Sequence, residues 1–147
     1  MKKNLTKSIR IKAPKEKVWS VLLEDTTYRQ WAGAFYPGSY AKTDNWKEDS
    51  KVYFLSPEGD GMVSRIAIHK PSEIISFEHI GMIKEGREYF SDPQIKEWQG
   101  FKETYQVSQL GEYTQLSIEQ DITEEYFDSF SEMWDRALES IKELAEA

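Results

Sequence analysis

His69 and His79 are the chain's only two histidines, the side chains whose ordinary titration falls near neutral pH. His79 stands where that chemistry could be used. In the segment Ile74 to Gly81, strict alternation puts it on the same face as Ile75 and Phe77, which should look inward. An imidazole facing an apolar space can orient a ligand or act as a general base. By the same alternation Glu103 shares a face with Phe101 and Tyr105 in Phe101 to Gln109. A carboxylate there has to be paired, hydrogen-bonded or close to an open mouth, because an unpaired buried charge costs several kcal/mol. His79, Glu103, Arg65 and Tyr105 could together form the polar end of a pocket. The alternative is a cross-strand network in which His79 is bonded to a neighbouring side chain or carbonyl.

Other chemistries lack their residues. The chain has no cysteine, which excludes thiol nucleophiles, disulfides and cysteine metal sites, and the two histidines stand in no HExxH pattern. There is no GxSxG elbow, no phosphate-cradling glycine loop and no calcium loop. Gly59-Asp60-Gly61 sits between two strand-like segments and reads as a turn. No metal or cofactor is expected, and no catalytic residue is assigned. A formal net charge of −7 disfavours nucleic-acid binding, which needs a basic face. The N-terminus carries lysines without an apolar core behind them, and no apolar run approaches the ~20 residues of a membrane span. These features predict a cytoplasmic protein without stable membrane insertion.

The elements that must hold these residues begin with the C-terminus. Phe127, Phe130, Met133, Trp134, Ala137, Leu138, Ile141, Leu144 and Ala145 recur every three or four residues, the stripe of one long amphipathic helix. Thr123 is its expected N-cap, with Glu124 and Glu125 in the first turn. Leu5 to Lys12 alternates as a half-buried strand; Ala13-Pro14 then opens a short helix carrying Val18, Trp19, Leu22 and Leu23. A second short helix over Tyr28, Trp31 and Ala32 ends near Gly33. Strands follow at Ser39 to Trp46, Lys51 to Ser56, Met62 to His69, Ile74 to Gly81, Phe101 to Gln109 and Thr114 to Gln120, seven with the first. Short links make an antiparallel meander the economical arrangement. Met82 to Gly100 is too long for a hairpin turn and holds Tyr89, Phe90, Ile95 and Trp98, so it is expected to fold over a cavity mouth as a lid. The basic first strand and acidic last helix are expected to lie side by side as solvated neighbours.

Residues 1–147 thus read as one domain of the α+β class. It is a curved seven-stranded antiparallel sheet with two short helices and a long C-terminal helix over its concave face. Trp19 reads as packing. Trp31, Phe35, Tyr36 and Trp98 sit in connectors, where aromatic residues are better explained by a cavity rim than by a core.

The segments "IKAPKEKVWSVLLEDTTYRQWAGAF", "TDNWKEDSKVYF", "GMVSRIAIHKPSEIISFEHIG", "WQGFKETY" and "MWDRALESIKELAE", in this order, carry a resemblance. The chain resembles the START-like (SRPBCC, helix-grip) superfamily, in the branch related to the C-terminal domain of the Hsp90 ATPase activator (AHSA1-like) and to polyketide cyclase-like proteins. Where relatives commonly place a glycine before the third strand, this chain has Ser50. The resemblance implies a hydrophobic cavity between sheet and last helix that takes lipids, sterols, polyketides or hormones. The expected function is binding of a hydrophobic or amphipathic small molecule, lipid-like or polyketide-like. Candidate contacts are Trp31, Phe35, Tyr36, Phe77, His79, Trp98, Phe101, Glu103, Tyr105, Phe130 and Trp134. Two alternatives stay open: a cyclase- or hydrolase-type enzyme using His79 and Glu103, and an interaction module that contacts an Hsp90-type chaperone.

Overall fold

The computed structural model describes residues 2–147. Strand β1 (Lys2–Ile11) leads through Pro14 into α1 (Lys15–Leu23) and α2 (Asp25–Ala32). Then come β2 (Tyr40–Lys42), β3 (Lys51–Leu55), β4 (Gly61–Lys70), β5 (Ile74–Lys84), β6 (Arg87–Tyr89), α3 (Pro93–Lys96), β7 (Lys102–Leu110) and β8 (Tyr113–Thr123). One 3₁₀ turn, Glu124–Tyr126, precedes α4 (Phe127–Glu146). The sheet runs β1-β8-β7-β5-β4-β3-β2, antiparallel at every pairing, with β6 hairpinned onto the end of β5. The predicted meander holds from β2 to β8. Because β1 and β2 occupy opposite edges, the chain between them has to cross the concave face, and α1 and α2 make that crossing.

Each helix has a local cause. Pro14 is extended (φ −65°, ψ 150°) and its carbonyl accepts from Lys17 and Val18 N–H, which starts α1. Glu24 is also extended, which breaks the helical run, and Thr27 Oγ1 donates to Val21 O at 2.8 Å to fix the bend into α2. α4 buries Trp134, Ala137, Leu138, Ile141 and Ala145, with Phe127, Phe130 and Leu144 half-buried, as its spacing predicts. Thr123 stands before the 3₁₀ turn and makes no side-chain cap bond, so the predicted N-cap is not used. The basic strand and acidic helix do meet: Lys7 Nζ is 2.8 Å from Asp135 Oδ1 and Lys3 Nζ is 3.7 Å from Glu124 Oε1.

The segment Met82 to Gly100 forms a hairpin and a short helix, with Trp98 at the cavity. β5 runs on to Lys84, turns at Glu85 and Gly86 (φ 52° and 78°) and returns as β6. Phe90 then lies over Gly81, where a Cβ would stand 2.5 Å from its ring, so only glycine admits that approach. Ile95 on α3 is fully buried, and Gln99 Nε2 donates to the carbonyls of Ile80 and Phe90 at 2.9 and 3.0 Å. Its charged residues are exposed apart from the half-buried Asp92, while Ile95 anchors the docked hairpin and turn. Ile95→Ala is expected to lower the unfolding free energy by about 2–5 kcal/mol in denaturant titration, as for other buried isoleucines. An unchanged midpoint would show that Ile95 does not anchor the segment.

Candidate functional site

The cross-strand registers gather the polar residues. Ser64 of β4 lies opposite His79 of β5, and the register slips by one residue between Val63 and Ser64 to bring them together. Phe77 is paired with Glu103 of β7, and Glu103 with Gln120 of β8. His79 N–H donates to Phe101 O at 2.9 Å. His79, Glu103 and Tyr105 therefore project from neighbouring positions of the concave face.

Side-chain bonds and one close contact arrange them in a row. Ser64 Oγ is 2.7 Å from His79 Nδ1, His79 Nε2 is 3.4 Å from Glu103 Oε1, and the Tyr105 hydroxyl donates to Glu103 Oε2. Ser64 and His79 are buried, and the Glu103 side chain keeps 16% of its exposure. The row satisfies the requirement that a carboxylate on this face be bonded and near an opening. It is both of the arrangements expected from sequence, since the cross-strand network is itself one wall of a cavity. Arg65 is not part of it. The guanidinium points to the other face, where Nη2 is 2.7 Å from Glu78 Oε1 and Nη1 2.7 Å from Asp49 Oδ1. Alternation along β4 requires this once Ser64 faces in.

The cavity measures about 480 Å³ and lies between this row, α2 and α4. Ten of the eleven candidates line it: Trp31, Phe35, Tyr36, His79, Trp98, Phe101, Glu103, Tyr105, Phe130 and Trp134. Phe77 does not. It is buried behind the wall, edge-on to Phe54 (5.1 Å between centroids), to Tyr105 (5.8 Å) and to Trp46 (6.3 Å). Trp31 is a wall residue of the interior rather than of the rim: it is 1% exposed, stacks on Trp134 at 5.9 Å, and its Nε1–H donates to Val21 O at 3.1 Å. Its segment is a helix that crosses the sheet, so it reaches the core. Tyr36, 51% exposed, does stand at the rim. Trp19 packs as expected, 7% exposed and stacked on His69.

Several lining residues escaped the sequence reading. Tyr28, Phe54, Met62, Gln120, Ile122 and Tyr126 all face the cavity. Gln120 was accessible to it, because the alternation of Leu116 and Ile118 continues two residues further. Its Oε1 accepts from Trp134 Nε1–H at 2.6 Å. Among the described residues, no group of three or more His, Cys, Asp or Glu side chains is placed to hold a metal ion, and no helix is long and apolar enough to cross a membrane.

Burial holds the Tyr105 hydroxyl well above the usual phenol range, and the Glu103 charge and Tyr28 push it further. Burial and then Glu103 raise Tyr28 as well.

No protein-family model and no curated protein sequence matches the chain. Solved structures do match. The Aha1 dimer from Colwellia psychrerythraea superposes with a TM-score of 0.71 at 17% identity, covering 98% of this chain and 96% of that one. A protein from Chromobacterium violaceum gives 0.68 at 19% identity over 98% of both chains. CalU16 from Micromonospora echinospora gives 0.67 at 17% identity over 97% of this chain and 75% of its own. At these identities the likeness is one of fold. The molecule has an α+β helix-grip fold, the one shared with the Aha1 and CalU16 structures.

The raised phenols give a pH prediction. An unfolded tyrosine ionises near pH 10, whereas folding holds these two neutral, so their contribution to stability is complete below about pH 10 and is lost as pH rises beyond it. In an alkaline absorbance titration, no more than six of the eight tyrosines should ionise before the fold is lost. Ionisation of all eight near pH 10 with circular dichroism intact would contradict the buried placement.

Proposed function

We propose that the chain binds a hydrophobic or amphipathic small molecule, lipid-like or polyketide-like, in the cavity between the sheet and α4. The observation that carries this reading is an unfilled space of about 480 Å³ walled by rings, with a bonded polar row at one side. Drug-sized ligands occupy clefts of about 300–1,000 Å³ that are mostly apolar with a few placed polar groups. Trp31, Phe35, Trp98, Phe101, Tyr105, Phe130 and Trp134 supply apolar contact area, and Tyr36 stands at the entrance. Covering that area contributes about 25 cal/mol per Å² before ordering costs. His79 and Glu103 fix the orientation of the ligand's polar end.

A second reading, acid and base catalysis on a carbonyl-bearing ligand, draws on the contact between His79 and Glu103. Ser64 is no nucleophile in it, because it lies fully buried behind the imidazole. The interaction-module reading called on the basic strand and acidic helix. Some of those charges are spent on each other through Lys7–Asp135 and Lys3–Glu124.

Titration with an environment-sensitive apolar dye is expected to saturate at one dye per chain and to change the emission of Trp31 and Trp134. Phe130→Ala removes a half-buried ring from the wall and should weaken the dye by about tenfold. Several dyes per chain, unaffected by Phe130→Ala, would mean adsorption on the outer surface and would overturn the proposal. His79→Ala should change the order of preference among ligands with different polar ends; an unchanged order removes His79 from the binding role.

A further inference from the structure

The charges on the cavity wall are all of one sign. Among the described residues that line it, the acidic side chains are Asp60, Glu103 and Asp121, and none is a lysine or arginine. Two of the three are occupied elsewhere. Asp60 Oδ1 accepts from Glu85 N–H at 3.0 Å, and Asp121 Oδ2 accepts from Lys102 N–H at 3.0 Å and lies 3.9 Å from Lys2 Nζ. Glu103 is different. Its hydrogen-bond partner is the neutral Tyr105 hydroxyl, and its nearest nitrogen is His79 Nε2 at 3.4 Å.

The bond between His79 and Ser64 is compatible with a neutral ring. The Ser64 hydroxyl at Nδ1 can donate to the ring, which leaves the ring proton on Nε2, facing Glu103. In this tautomer the ring adds no positive charge beside the Glu103 carboxylate, which stands among aromatic rings. Tyr105 reaches Glu103 directly, Tyr28 lies within its field, and Phe54 stands edge-on to His79 at 6.2 Å. A carboxylate among aromatic rings favours an ammonium head twice over, through the charge-assisted bond and through the negative faces of the rings. A carboxylate- or phosphate-headed amphiphile would meet like charge and no basic partner.

We infer that the polar head the cavity accepts is a cation: its ligand is a hydrophobic amine or ammonium compound whose head sits at Glu103 and whose apolar part lies against Trp31 and Trp134. The inference rests on the ligand-binding reading above and narrows it to one class of head group.

The test uses three probes with the same eight-carbon chain, octylammonium, 1-octanol and octanoate, followed by tryptophan emission in the full-length protein. Work at ~0.15 M salt limits the reach of the molecule's surface charge to about 8 Å. Octylammonium should bind about tenfold more tightly than 1-octanol, with octanoate weakest, the preference a partly desolvated ion pair gives over a neutral hydrogen bond. Glu103→Gln keeps the size and an acceptor for Tyr105, and should bring octylammonium down to the affinity of 1-octanol measured in the same variant. Equal affinities for the three in the unaltered protein, or octanoate tightest, would overturn the cationic head and leave the cavity as a binding site. Binding of none of them would overturn the ligand-binding reading itself. The ranking in the unaltered protein decides the matter even if Glu103→Gln fails to fold.

Discussion

Trp134 is the contact on which the arrangement depends. Its indole stacks on Trp31 at 5.9 Å, meets Phe35 edge-on at 4.9 Å and Tyr105 edge-on at 5.8 Å, and its Nε1–H donates to Gln120 Oε1. One side chain thus ties α4 to α2 and to strands β7 and β8. Its hydrogen bond fixes the height and rotation of α4 over the sheet, which apolar packing alone would leave less specific. On one side of Trp134, toward the C-terminus of α4, Ala137, Leu138, Ile141 and Ala145 close the core. On the other, toward its N-terminus, the helix carries Phe130 at the cavity. The division between filled core and open space falls at this residue.

A cavity of this size in a small domain costs stability, because the wall atoms lose the contacts a filled core would give them. Aromatic rings suit such a wall. They are stiff and prop one another, as Tyr28 does edge-on against Trp31 at 4.8 Å and tilted against Phe54 at 6.4 Å. The polar row serves the same end. Ser64 is bonded to His79 and Tyr105 to Glu103, with His79 Nε2 3.4 Å from Glu103, so they neither collapse inward nor need an apolar cover. Three strands contribute to it, and the register slip beside Ser64 is what sets β4 against His79.

The pattern of hydrophobic spacing explains why much of this was legible in the chain. The stripe from Phe127 to Ala145 gave the long helix, and alternation placed His79, Glu103 and Tyr105 on the inner face. The same rule, carried two residues past Ile118, would have reached Gln120. What it missed depended on tertiary position. Trp31 is in a short helix that looked like a connector, and only the opposite-edge placement of β1 and β2 sends it across the core. Arg65 was put with the polar row because the register slip next to Ser64 leaves no trace in composition. Phe77 alternates correctly yet sits behind the wall, since facing inward does not say which inward residues meet the open space. Ile95 was legible as one of the apolar residues of its segment, but its role as a core anchor depends on how α3 docks.

The central claim is that the space beneath Trp134 receives a ligand, and isotope-filtered NMR on the full-length chain with an amphiphilic probe tests it most directly. The account predicts intermolecular cross-peaks from the probe's methylenes to the rings of Trp134, Tyr105 and Phe130, together with a shift of the Trp134 indole N–H. Cross-peaks confined to residues of the outer sheet face, such as Thr6, Gln106 and Ser117, with the Trp134 indole unmoved, would contradict it.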